Sequence, residues 1–123
     1  VDKRRPKPGQ SKVMNVIGNV KEKTCIIVDD IIDSGGTIIN AAKALKDRGA
    51  KEVYVYITHG VLSGEAIDNI KKSVIKKLVI TDTIDIQDKI KKAKNIEVLP
   101  ISTLMGEAIK RISNSTSVSD LFK

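Results

Sequence analysis

Apolar positions along the chain fall into two alternating patterns. Ile26-Ile27-Val28 is a β-branched run too short for a helix, which predicts a buried strand near 24–29. Ile38, Ala41, Ala42 and Leu45 then recur at spacings of three and four. They predict a helix near 36–48 that stops at Gly49, where a glycine just past a helix end belongs. Val53 to Thr58 alternates and is rich in β-formers, a second strand. Ser63 is placed to cap a helix running to about residue 72; a strand follows near 77–81 and a short helix near 85–93. Ile96 to Pro100 makes a fourth strand, and 102–112 a closing amphipathic helix. Strands alternating with helices predict an α/β fold, a doubly wound, mostly parallel sheet with helices on both faces.

At 123 residues the chain is long enough for one core in one domain. Phe122, Tyr54 and Tyr56 are its only aromatic residues, so Ile, Val, Leu and Ala must fill that core. The single cysteine, Cys25, excludes an intrachain disulfide and fits a reducing cytoplasm; inside a strand run it reads as an inert thiol. No apolar run is long enough to span a bilayer, and the basic N-terminus has no hydrophobic stretch behind it. A cytoplasmic protein with no membrane partner is expected. The chain starts at valine in a basic run, which reads as the middle of a longer protein.

The net charge of +7 is concentrated in two stretches. Residues 1–12 carry Lys3, Arg4, Arg5, Lys7 and Lys12 against Asp2, while Pro6, Pro8 and Gly9 predict a flexible loop without regular structure. Residues 71–94 carry eight lysines against Asp82, Asp85 and Asp88, a net of +5. Such clusters can serve nucleic acid. However, the chain offers neither aromatic platforms for bases nor a recognisable reading helix, and these lysines interleave with Val74, Ile75, Leu78 and Val79. They read as solvated faces of regular elements, and no nucleic-acid partner is expected.

Residues 26–37 carry the chemistry. The apolar run ends in Asp29 and Asp30; after Ile31 and Ile32 come Asp33, Ser34, Gly35, Gly36 and Thr37, and then the helix. Carboxylates at the C-terminal end of a strand stand where open α/β sheets bind ligands. The glycines permit positive φ and close backbone approach, the helix start offers N–H groups to an anion, and Ser34 and Thr37 add hydroxyls. This is the chemistry of a phosphorylated polyol, with the anion in the loop and the hydroxyls on the acids. A plain turn in which Asp33 or Ser34 caps the helix is the bland alternative. Neither Gly-x4-Gly-Lys-Ser/Thr nor Gly-x-Gly-x-x-Gly is present.

This run resembles the phosphoribosyl-diphosphate motif shared by type I phosphoribosyltransferases and ribose-phosphate diphosphokinase. Val1 to Pro6, Val13 to Gly18, Thr58 to Gly64 and Ser117 to Phe122 are similar to the diphosphokinase, in order along nearly the whole chain. The chain therefore resembles the C-terminal part of that family, with a phosphoribosyltransferase-like domain at 13–123 and a flexible basic catalytic loop at 1–12.

The resemblance implies Mg2+-dependent transfer of the diphosphoryl group of ATP to the anomeric hydroxyl of ribose 5-phosphate. Lys3 and Arg5 would be catalytic, and Asp29 and Asp30 would hold the ring hydroxyls, partly through the metal. Asp33, Ser34, Gly35, Gly36 and Thr37 would bind the 5-phosphate. It also implies a homo-oligomer, an ATP site in the intact enzyme built largely by another part of the protein, and an allosteric role for Ser117 and Ser119. Position 34 is serine where threonine is common in the motif, and Gly60 stands where proline is frequent. His59 and Thr81-Asp82-Thr83 end strands near such a cleft, and both have structural readings: a lone structural histidine and a capping turn. A phosphoribosyltransferase and a non-catalytic sugar-phosphate-binding or assembly domain are the alternatives.

Overall fold

In the computed structural model, which describes residues 2–4 and 13–123, Asp2–Arg4 (β1) pairs antiparallel with Val13–Asn15 (β2), Lys3 opposite Met14. The basic stretch thus begins with strand backbone where the prolines predict none. Arg5, Pro6 and Pro8 lie outside the described residues.

The remaining elements alternate as expected: Thr24–Ile32 (β3), Gly36–Asp47 (α1), Glu52–Gly60 (β4), Ala66–Lys72 (α2), Lys77–Thr81 (β5), Gln87–Ile90 (α3), Ile96–Leu99 (β6) and Ser102–Ser113 (α4). A single 3-10 turn follows at Ser119–Phe122. The four longer-range strands form one parallel sheet in the order β3-β4-β5-β6. The α/β class read from the sequence is the class of the fold. Among the described residues no helix is long and apolar enough to cross a membrane.

Sequential parallel strands joined by crossovers of one hand bring their connecting helices to one side. The burial pattern follows. Val53, Val55 and Ile57 of β4, Leu78 and Ile80 of β5 and Ile96 of β6 share a single core with Ile38, Ala42 and Leu45 of α1, Ala66 and Ile70 of α2, and Ile90 of α3. Every buried residue of this core is Ile, Val, Leu or Ala, and among the described residues no polar side chain is buried. Val53, Val55, Ile70, Leu78 and Ile80 are fully buried, each contributing about 1.5–3 kcal/mol relative to exposure.

Helices α1, α2 and α3 pack on this one face. The opposite face leaves Ile26, Val28, Tyr56 and Leu99 exposed, at 60%, 76%, 44% and 56%. The strand at 24–29 is accordingly half open to solvent rather than buried, because Ile26 and Val28 lie on the uncovered face and, among the described residues, β3 has a sheet neighbour on one side. Polar pairs share this open face. Tyr54 donates to Glu52 at 3.0 Å, a hydrogen bond that holds its phenol above the ordinary 10.0. Lys77 bonds Glu97 at 2.9 Å, which holds its ammonium above the ordinary 10.5. The closing helix forms as the periodicity predicts, but none of its residues is buried and Ile109 and Ile112 stand in solvent.

Candidate functional site

The C-terminal end of β3 enters α1 across only Asp33, Ser34 and Gly35. Gly35 is the N-cap, with φ 84° in the left-handed region, and its carbonyl accepts the Ile39 amide at 2.9 Å. No side chain caps α1, so neither Asp33 nor Ser34 performs the capping role of the bland alternative. Gly36 lies at ordinary φ with open space around it. Val61 and Leu62, just past β4, donate to the Ile32 carbonyl at 2.9 and 3.2 Å and hold the two strand ends together.

A concavity of about 350 Å³ opens over this turn. Asp29, Asp33, Ser34, Gly35 and Thr37 line it, with Ile31, Ile32 and Ile38 as apolar wall. Five of the residues singled out from the sequence therefore meet at one place. Two do not join that lining, Asp30 and Gly36. Successive strand residues point to opposite faces. Asp29 stands beside buried Ile57, whereas Asp30 falls on the open face with Val28, and its amide donates to Asp29 Oδ1 at 2.8 Å.

Ser63 reaches the turn after β3, a contact that sequence reasoning misses. Its hydroxyl donates to Asp33 Oδ1, bringing the turn after β4 onto the turn after β3. It is therefore not the cap of α2, whose N-cap is Glu65 and carries no side-chain hydrogen bond. The carboxylate is the stronger acceptor for that hydroxyl. The available signal was Ser63 lying just beyond a strand end that parallel pairing places beside Asp33.

The other candidates are dispersed. His59 Nδ1 and Thr83 Oγ1 are 2.8 Å apart, Thr81 donates to the Thr58 carbonyl at 2.6 Å, and Asp82 accepts the Ile101 amide at 3.0 Å. Asp82 therefore anchors the start of α4, the structural reading of that triplet. Ser117 and Ser119 share a hydroxyl hydrogen bond of 2.9 Å, and Arg111 donates to the Ser117 carbonyl at 3.0 Å. Lys3 lies on β1, and β2 packs against α1.

The oxygen set suits a hard cation. Mg2+ is usually held by one or two carboxylates together with water and substrate phosphates. Asp29 and Asp33, with the hydroxyls of Ser34 and Thr37, are donors of that type around one concavity. Among the described residues no group of three or more His, Cys, Asp or Glu side chains could form an all-protein cage.

A family model described as "Phosphoribosyl synthetase-associated domain" matches residues 3–123. The chain is 60% identical over 122 residues to a ribose-phosphate pyrophosphokinase of Hyphomonas neptunium, covering 99% of this chain and 39% of that protein. The enzyme of the same name from Bradyrhizobium diazoefficiens is also 60% identical, over 99% of this chain and 38% of its own length. The one from Buchnera aphidicola is 50% identical over 100% and 39%. The crystal structure of phosphoribosylpyrophosphate synthetase from Mycobacterium smegmatis superposes with a TM-score of 0.78 at 37% identity, covering 85% of this chain and 34% of that one. The chain thus spans about two-fifths of the length of the curated relatives it matches. The placement as the C-terminal part of the enzyme is corrected to the synthetase-associated domain, the unit whose model spans residues 3–123.

Proposed function

The chain belongs to the phosphoribosyl synthetase-associated domain family, and we propose on that premise that its acidic strand end and glycine turn form the ribose 5-phosphate side of a ribose-phosphate diphosphokinase. The observation that carries this reading is the concavity at the C-terminal end of β3, where carboxylates, hydroxyls and a helix start share one lining. In the reaction, the anomeric oxygen of the sugar bonds to the β-phosphorus of ATP while the bond to the α,β-bridging oxygen breaks. AMP leaves and the hydroxyl proton passes to solvent.

The residues divide this work. The turn Asp33–Thr37 receives the 5-phosphate at the start of α1. Asp29 faces the concavity and orients the ring hydroxyls, while the Asp30 amide fixes the Asp29 carboxylate and Asp30 contributes charge at the strand end. Asp29 would hold Mg2+ together with the substrate, with Asp33 rather than Asp30 as the second carboxylate of the same lining, and the ion would supply charge neutralisation between sugar and phosphates. Lys3, on β1, and Arg5 belong to the basic stretch 1–12, whose charge would neutralise the transferring group beside the domain at 13–123. Positioning and charge neutralisation dominate phosphoryl transfer, so no strong general base is required. Ser117 and Ser119 are assigned to effector binding, and the intact enzyme to a cytoplasmic homo-oligomer.

Calorimetric titration of the chain with ribose 5-phosphate and Mg2+, then ATP, tests the assignment. Sugar binding lost in Asp29→Asn is the expected result. Sugar affinity indifferent to both Mg2+ and that substitution would overturn it. AMP release after ATP addition separates a catalytic domain from one that only binds sugar phosphate.

A further inference from the structure

Four lysines of the basic stretch 71–94 converge at a second place. Lys71 in the last turn of α2, Lys76 just before β5, and Lys92 and Lys94 just before β6 line one concavity of about 520 Å³, together with Ser73 and Asn95. Lys76 and Lys94 stand where parallel strands begin, whereas the Asp33–Thr37 turn stands where one ends. The two concavities therefore lie at opposite edges of the sheet.

The charge of this lining is one-sided. Among the described residues no carboxylate belongs to it. The ion pairs of the region are made by other lysines: Lys77 with Glu97 and Lys91 with Asp88, each at 2.9 Å. A lysine in the last turn of a helix offsets the helix dipole. That accounts for Lys71 but not for Lys76, Lys92 and Lys94, which come from loops. Like charges gathered around one hollow repel unless an anion sits between them.

The hollow also has a polar floor. Asn95 Nδ2 donates to the carbonyls of Ile70 and Ile75 at 3.1 and 3.3 Å, fixing the start of β6 against the connection from α2 to β5. Its Oδ1 is buried and has no hydrogen-bond partner within the protein. That oxygen is shielded from solvent, so the lysines alone recruit the anion, while Asn95 fixes the two loops that carry Lys76 and Lys94 against each other.

We propose that this concavity binds a small polyphosphorylated ligand, at a site separate from the turn after β3. The test is a titration of the isotope-labelled chain with fructose 1,6-bisphosphate, followed by amide chemical shifts. Saturable shifts at residues 71–76 and 92–95 are expected. Affinity should fall with added salt and drop about tenfold in a Lys76→Gln, Lys94→Gln double variant. Both lysines are exposed, and unchanged shifts elsewhere in that variant would show that it folds normally. The proposal is overturned if the shifts do not saturate, if they are confined to residues 29–37, or if the double variant binds as well. It is also overturned if a single-stranded oligonucleotide saturates these residues and the bisphosphate does not.

Discussion

Gly35→Ala isolates what the anion turn demands of its backbone. Gly35 holds φ 84°, a region that costs an L residue about 1–2 kcal/mol. Space is not the constraint. A Cβ built there would lie 3.7 Å from Ile39 Cδ1 and from Ile70 Cδ1 and Cγ1, which is ordinary van der Waals contact. The expected loss is therefore about 1–2 kcal/mol. It should appear as a lower urea midpoint at unchanged m-value, against a total stability of about 5–15 kcal/mol. Because the cost is conformational, removing the neighbouring methyl should not relieve it. Ile70→Val deletes Cδ1 and costs about 0.5–1.5 kcal/mol by itself. The double variant should lose the sum of the two within about 0.5 kcal/mol, although residues in contact often couple. Gly35→Asn should cost less than Gly35→Ala, since asparagine tolerates the left-handed region. A neutral Gly35→Ala, or relief by Ile70→Val of more than about 0.5 kcal/mol, would refute the argument and point to steric crowding instead.

Three further outcomes follow from the geometry. Asp29→Asn should weaken ribose 5-phosphate binding in Mg2+ by about tenfold or more, the value of one charge-assisted contact, and Asp30→Asn by less; calorimetry giving equal losses would contradict the placement of the two on opposite faces. Ser63→Ala should weaken the same binding by about two- to tenfold while the urea midpoint barely moves, because it frees the exposed Asp33 carboxylate from its tether. Tyr54 and Lys77 both hold their protons more tightly in the folded chain, so their contribution is complete below 10.0 and 10.5 and is lost as pH rises through the raised folded values. Melting temperatures measured across that alkaline window should fall less steeply in a Glu52→Gln, Glu97→Gln variant, and an unchanged slope would exclude these pairs.

The order of strands and helices was legible because each apolar run had a length and period that only one element satisfies. The site turn was legible for a local reason too: acids, hydroxyls and glycines adjacent in sequence remain adjacent in space. What escaped depends on pairs distant in sequence. Ser63 reaches Asp33 only because β4 runs parallel to β3, and a serine before a helical pattern reads more naturally as a cap. Likewise Ile26 and Val28 satisfy the rule for a buried strand, yet they lie on the uncovered face, and only strand order and packing reveal that. The lysines at 76 and 94 looked like solvated faces because their convergence arises from the starts of two neighbouring strands. The same limit applies to Asp29 and Asp30, whose adjacency in sequence suggests a joint ligand pair while strand alternation separates them.

The charge of the concavity at the end of β3 gives the Asp29 prediction a sharper form. Among the described residues its lining holds the carboxylates of Asp29 and Asp33 and no basic side chain. A phosphate dianion entering there meets like charge, worth about 1 kcal/mol per pair at 4 Å in water and more as water is excluded. Helix-start amides offset only part of that, typically about 0.3–1 kcal/mol. Cations must therefore come from elsewhere, either a divalent ion on the carboxylates or the basic stretch beginning at β1, whose partner β2 packs against α1. The consequence is a reversal of sign. With Mg2+ present, Asp29→Asn should weaken ribose 5-phosphate binding; with Mg2+ chelated, it should strengthen the residual binding by about two- to fivefold, because the substitution then removes only repulsion. Calorimetry with and without chelator reads both arms. A loss of equal size in both would mean that Asp29 contacts the sugar directly with no cation between them, and the charge argument would fail.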